Sequence, residues 1–172
     1  MANIRMSNIL KVPVIYIKDK QAFEKYAGTL RLLGSAPEIA RELSKKYRLL
    51  HVVDLDLKGG SLANFDIYDK LTYFIHIQVE CSNESAARRL LQLNARIVVE
   101  LPTKLPLEEW NKRLLVGIVS GDEDAALVHD VIIRNPSKEK IDKYRSQGKR
   151  IMLYENEWDQ KEDVWAVILS RP

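Results

Sequence analysis

At 172 residues, with 46% hydrophobic side chains, the chain can bury one full core without disulfides or structural metals. Its 27 basic and 24 acidic residues leave a formal charge of +3, a mixed surface too weakly biased to argue for nucleic acid. The single cysteine, Cys81, rules out an internal disulfide, and no apolar run approaches the ~20 residues that span a bilayer or resembles a signal peptide. These features predict one cytoplasmic domain over 1–172, with residues 1–9 as a loose terminus and no membrane association.

In chain order, the first strand-like run is Val12–Ile17, short and rich in Val and Ile. Ala36–Tyr47 follows with Pro37 near its start and Ile39, Ala40 and Leu43 on one side, a helical pattern. Leu49–Leu55 is a buried strand that runs into Asp54 and Asp56, then a glycine turn at Gly59 and Gly60, then Asn64 at the head of a further helix. Phe74–Val79 is the third strand, and Ser82–Leu93 opens with polar caps and carries Ala86, Leu90 and Leu93 on one face. Ile97–Leu101 and Leu114–Val119 are strands separated by a short helix over Pro106–Arg113. The strand Val131–Ile133 precedes a helix at Ser137–Gln147 closed by Gly148, and Ile151–Tyr154 and Val164–Leu169 are the last strands.

Strand alternating with helix predicts an α/β fold, a minimal (β/α)8 TIM-type barrel with shortened or missing helices in the C-terminal half. The rival is an open doubly wound sheet. The late connections 120–130, 134–149 and 155–163 hold 11, 16 and 9 residues, against the ~10–12 a βαβ crossover needs with its helix. Thin walls of this kind would expose Ile118, Ile133, Leu153 and Ile168. That predicts either a homodimer on this side or a cover formed by the aromatic segment Trp158–Trp165.

Residues 49–71 resemble the second βα unit of the HisA/HisF family, the barrel isomerases of histidine biosynthesis. Val12–Asp19 is similar to that family's first strand, Ala36–Leu43 to its first helix, Ile75–Val79 to its third strand, Leu90–Val99 to its passage into strand four, and Leu115–Val119 to its fifth strand. The resemblance spans about residues 10–120. It implies internal redox isomerisation of an aminoaldose phosphate by two carboxylates at the barrel mouth. Here Tyr16 and Val119 stand at those positions. A phenol with an ordinary pKa near ~10 is a poor shuttle at neutral pH, and a valine carries no proton. The family's glycine phosphate loops are replaced by Glu80-Cys81-Ser82, by Tyr154–Glu157 and by Leu169–Arg171.

The expected function is therefore a catalytically silent relative acting as a binding or scaffolding protein. The alternative is an enzyme of changed chemistry working from Lys18, Asp54, Asp56 and Glu80 on a small, sugar-derived molecule. No cofactor or metal is expected, and any small-molecule ligand belongs at the C-terminal ends of the strands.

His76, Gln78 and Glu80 share one strand face, which the family resemblance would direct inward beside Arg96, Val98 and Glu100, a polar layer that must be paired if buried. His76 reads better as a satisfied core histidine than as a catalytic base, and His51 and His129 carry no signal of their own. Cys81 heads a helix, where the dipole lowers a thiol's pKa, but it has no His or Asn partner in the sequence and reads as an ordinary thiol. The basic run Lys138, Lys140, Lys143, Arg145, Lys149 and Arg150 is interrupted by Glu139 and Asp142 and lacks an aromatic platform, so nucleic-acid binding ranks last.

Overall fold

The computed structural model describes residues 8–172. The part of the expected loose terminus up to residue 7 lies outside the described residues, while Ile9, inside that expected segment, is buried in the core.

The chain opens with β1 (Leu10–Val12) and β2 (Val14–Lys18), two halves of one extended run broken at Pro13. Proline has no N–H to give to a ladder, and the chain changes partner there. The Val12 carbonyl accepts from Leu169 N at 2.7 Å on one side, and the Pro13 carbonyl accepts from His51 N at 2.9 Å on the other. A hairpin follows, β3 (Gln21–Tyr26) and β4 (Thr29–Ser35), turning at Ala27 (φ 49°) and Gly28 (φ 79°). Both turn residues have positive φ, the twist that matches a tight hairpin.

Then come α1 (Ala36–Ser44), β5 (Leu49–Asp54), α2 (Leu55–Lys58), α3 (Phe65–Phe74), β6 (His76–Glu80), α4 (Glu84–Gln92) and β7 (Arg96–Glu100). The second half holds β8 (Leu115–Val119), β9 (Asp130–Ile133), α5 (Lys138–Ser146), β10 (Arg150–Tyr154) and β11 (Ala166–Ile168). Helix starts follow ordinary capping chemistry: Ser35, Asn83 and Ser137 accept from backbone N–H groups three residues on, at 3.4, 2.9 and 3.2 Å.

The eleven strands form one mixed, mostly parallel sheet in the order β1-β11-β10-β9-β8-β7-β6-β5-β2-β3-β4. The sheet is strongly curled, since β1 at one end and β2, third from the other, are neighbours in the chain. This corrects the expected (β/α)8 TIM-type barrel. The hairpin pairs antiparallel to β2 and makes the sheet mixed, and only five α-helices occur among the described residues. The segments 101–114, 120–129 and 155–165 carry no α-helix; the first holds two 3-10 turns, at Leu107–Glu109 and Lys112–Leu114, and the last holds one, at Glu155–Glu157. In the first of these, Leu101 and Leu107 reach the core from an irregular backbone.

Two apolar layers result. On the convex side, alternate strand residues such as Ile15, Val52, Ile77, Ile97, Leu115 and Ile133 pack under the helices. Where helices are missing, Leu101, Leu107, Ala125, Val128 and Val164 of the loops cover the strands instead. The concave face packs against itself through Val12, Val14, Leu49, Val98, Val116, Ile132, Met152 and Ala166.

The four residues on which a dimer was expected are covered within one chain: Ile118, Ile133, Leu153 and Ile168 are 5%, 0%, 1% and 1% exposed. Ile118 and Ile168 face the concave layer, whereas Ile133 and Leu153 lie under the convex one. The two tryptophans of the segment Trp158–Trp165, expected to form a cover, part company. Trp158 joins the convex layer, while Trp165 lies at the opposite end from Tyr154 with the Arg150 guanidinium 3.6 Å from its ring centre.

Candidate functional site

The C-terminal ends of the parallel strands open on the concave face, and here strand periodicity puts Tyr16, Val53, Glu80, Glu100, Ile118, Tyr154 and Ile168 on the inner side. A cavity of about 250 Å³ lies among Val14, Tyr16, His51, Val53, Glu80, Tyr154, Asn156, Ile168 and Ser170. A second, of about 140 Å³, is lined by Lys58, Glu80, Cys81, Ser82, Glu100 and Arg134. Glu80 is common to both.

One polar chain ties the mouth to the sheet interior. Gln78 Nε2 lies 2.8 Å from His51 Nδ1, and His51 Nε2 lies 2.8 Å from Glu80 Oε2. The amide N–H donates to Nδ1, which places the ring proton on Nε2, where it is donated to the carboxylate. Lys58 Nζ reaches Glu80 Oε1 at 3.0 Å. Burial pushes the Glu80 carboxyl up, but the hydrogen bond from His51 and the Lys58 ammonium outweigh this and hold it down at about 2. Glu80 is therefore ionised at any neutral pH. Burial, then the Glu80 charge, raises both neighbouring phenols, Tyr154 to about 12. Tyr16 and Tyr154 are thus neutral at the mouth, and neither is a proton shuttle there.

The remaining expected residues are not gathered at this place. Asp54 faces the convex side, fully buried, and accepts from Leu57 N (3.0 Å), Asn64 Nδ2 (2.9 Å) and the Tyr68 hydroxyl (2.8 Å). Asp56 accepts from Asp19 N and Asn64 Nδ2, each at 2.9 Å, and Asn64 Oδ1 in turn accepts from Lys20 N at 2.8 Å. The Asp19 amide, then Asn64, hold the Asp56 carboxyl below its ordinary value. Asp54, Asp56 and Asn64 therefore clamp the turn between β2 and β3, where Asp19 (φ 50°) and Lys20 (φ 65°) are left-handed. Lys18 is exposed at the end of β2. Of Lys18, Asp54, Asp56 and Glu80, only Glu80 lines the mouth cavities.

Tyr16 lines the larger cavity, but Val119 is buried in the convex layer, facing away from the mouth. His76, at the start of β6, is exposed rather than a core histidine, while Gln78 is fully buried and Glu80 half-buried. Burial raises the Cys81 thiol rather than lowering it, and its Sγ–H donates to the Asn83 carbonyl at 3.3 Å. Four members of the basic run donate to backbone carbonyls, although only Lys149 is buried. Lys140 Nζ bonds Asn135 O (2.8 Å), Lys143 Nζ bonds Gly121 O (2.5 Å), Lys149 Nζ bonds Val128 O (2.7 Å) and Arg145 bonds Asp163 O.

The residue that sequence reasoning missed is His51. Part of its signal was present: a histidine inside the fully buried strand Leu49–Asp54 must find polar partners, and the structure supplies them by bringing Gln78 into register with it.

At the other end of the concave face, buried Asp130 is bonded by Arg150 through Nε (2.6 Å) and Nη2 (2.9 Å), and by Arg96. Both guanidiniums lie on the Trp165 ring. This triad closes the lower end and leaves the mouth as the open one. A larger hollow of about 450 Å³ between α1 and α3 is bordered by Pro37, Tyr73 and Phe74. Its charged groups, Glu38, Arg41, Asp69 and Lys70, are all exposed and do not converge. Among the described residues, no three His, Cys, Asp or Glu side chains are placed to hold a metal ion, and no helix is long and apolar enough to cross a membrane.

No protein-family model matches the chain, and no curated protein matches it. The likeness to the HisA/HisF family thus stands on the residues quoted above and gains no support from either comparison.

Proposed function

We propose that the chain is a binding protein that seats a small molecule at the mouth of its curled sheet, without isomerase chemistry. The observation that carries this is the wiring of His51. Both ring nitrogens are engaged within the fold, by Gln78 and Glu80, and the side chain is 1% exposed. A general base must reach the proton it abstracts. His51 instead acts as a rigid strut that fixes Glu80 at the cavity wall. Glu80 at about 2 is too weak a base for proton transfer at neutral pH, yet a strong, permanently charged acceptor. The cavity offers few fixed polar groups on an apolar floor of Val14, Val53 and Ile168, the composition of a ligand pocket. At about 250 Å³ it falls below the ~300–1,000 Å³ of drug-sized sites, which limits the ligand to a small molecule.

The test has two arms on the full chain. Incubation with the aminoaldose phosphate of histidine biosynthesis should give no product, including after the double substitution Tyr16→Asp with Val119→Asp. A panel of small polar compounds, screened by thermal shift, should contain stabilisers whose effect is lost when Ile168→Trp fills the cavity. Turnover in the first arm, or stabilisers indifferent to Ile168→Trp, would overturn the reading.

A further inference from the structure

Resting on that reading, we infer that the ligand is a small organic cation, its ammonium group held between the Glu80 carboxylate and the rings of Tyr16 and Tyr154. Among the described residues that line the larger mouth cavity, Glu80 is the only carboxylate, and no Lys or Arg joins it. Its neighbours there are two phenols, an asparagine, a serine, aliphatic residues and His51, whose ring nitrogens are both taken up by Gln78 and Glu80, so no cationic group in the described lining is free to meet a negative ligand. Each carboxylate oxygen accepts a single hydrogen bond, from His51 and from Lys58, and retains capacity for another. Aromatic faces attract cations through their quadrupole, and a carboxylate in the lining of the same cavity adds a point charge of the matching sign.

The fold's own lysines report the sign of the local potential. Lys58 Nζ sits 3.0 Å from Glu80, and Lys25 Nζ, from the hairpin, lies 5.0 Å from the Tyr16 ring centre. Both lysines are exposed, so each can swing into water when a ligand ammonium arrives, at the small cost typical of exposed pairs. The two cations of the second cavity are already matched: Lys58 by Glu80, and Arg134 by Glu100.

The experiment is a ¹H–¹⁵N chemical-shift titration of the full chain with tetramethylammonium chloride, against sodium chloride at equal ionic strength, with sodium acetate and ethylene glycol as anionic and neutral probes. Saturable shifts at the amides of Val53, Glu80, Tyr154 and Ser170 are expected with tetramethylammonium alone. Glu80→Gln, which keeps an acceptor for His51, should weaken binding about tenfold or more. Tyr16→Leu should weaken it about two- to fivefold, whereas Tyr16→Phe should change it little. Lys58→Met should tighten it about two- to fivefold by removing the competing ammonium. An anion site would reverse the Lys58 and Glu80 effects, and that reversal overturns the inference. Shifts at the same amides with ethylene glycol but not tetramethylammonium overturn the ligand class while leaving the mouth as the site. Should Glu80→Gln not fold, the sign of the Lys58→Met effect decides.

Discussion

Replacing Glu80 by glutamine should alter the acid stability of the protein by an amount the mouth geometry sets. The carboxyl lies at about 2 in the folded protein against 4.5 when unperturbed, held there by His51 and Lys58. At about 1.36 kcal/mol per pH unit, that difference corresponds to about 3 kcal/mol. The side chain is 19% exposed, so solvent screening removes only part of it. Because the folded value is depressed, the stabilisation is complete above pH ~4.5 and disappears as pH falls through about 2. Glutamine has no such dependence. Urea unfolding of wild type and Glu80→Gln at pH 6, 4, 3 and 2 should therefore show the wild-type advantage shrinking by about 2–3 kcal/mol from the first to the last. Asp56 and Glu123, whose carboxyls are also depressed, titrate in both proteins and cancel in the comparison. A difference that stays constant within about 1 kcal/mol across the series would refute the ionised Glu80–His51–Lys58 arrangement.

Val119→Asp should destabilise the chain by about 3 kcal/mol or more in urea unfolding, since it puts a carboxylate into the convex core; a neutral effect would mean the side chain reaches the mouth. His51→Leu should cost about 1–3 kcal/mol by orphaning the Gln78 amide, and the double substitution with Gln78→Met should recover much of that loss. Additive losses in that cycle would show that the two side chains are not coupled. Sedimentation at micromolar concentration should give a monomer, because Ile118, Ile133, Leu153 and Ile168 are buried within one chain; a dimer would require a different face.

The strands were legible because Val- and Ile-rich runs buried on both sides leave the same mark whatever sheet they join. Leu49–Asp54, Leu115–Val119 and Asp130–Ile133 are buried at every position. Their assembly was less legible. The hairpin Gln21–Ser35 turns on Ala27 and Gly28, and alanine at the first of two positive-φ positions gives none of the Asn-Gly or Asp-Gly signal such turns usually carry. The expected helix at Pro106–Arg113 became two 3-10 turns, because Leu101, Leu105 and Leu107 reach the core from a loop. At the site, alternation along β6 grouped Gln78 and Glu80 on one face, which the structure turns to the concave side. It could not show that His51, one strand away, was their partner, since register between strands is not written in either strand alone. Asp54 and Asp56 drew attention as paired carboxylates, yet both serve the turn at Asp19 and Lys20.

The central claim, a small-molecule site at the mouth built on Glu80, is tested most directly by soaking crystals of the full chain with a library of small amines, polyols and carboxylates. The account predicts bound density between Tyr16 and Tyr154, in contact with the Glu80 carboxylate and dominated by amines. Density confined to the hollow between α1 and α3, or carboxylates lodged at Glu80 in preference to amines, would contradict it.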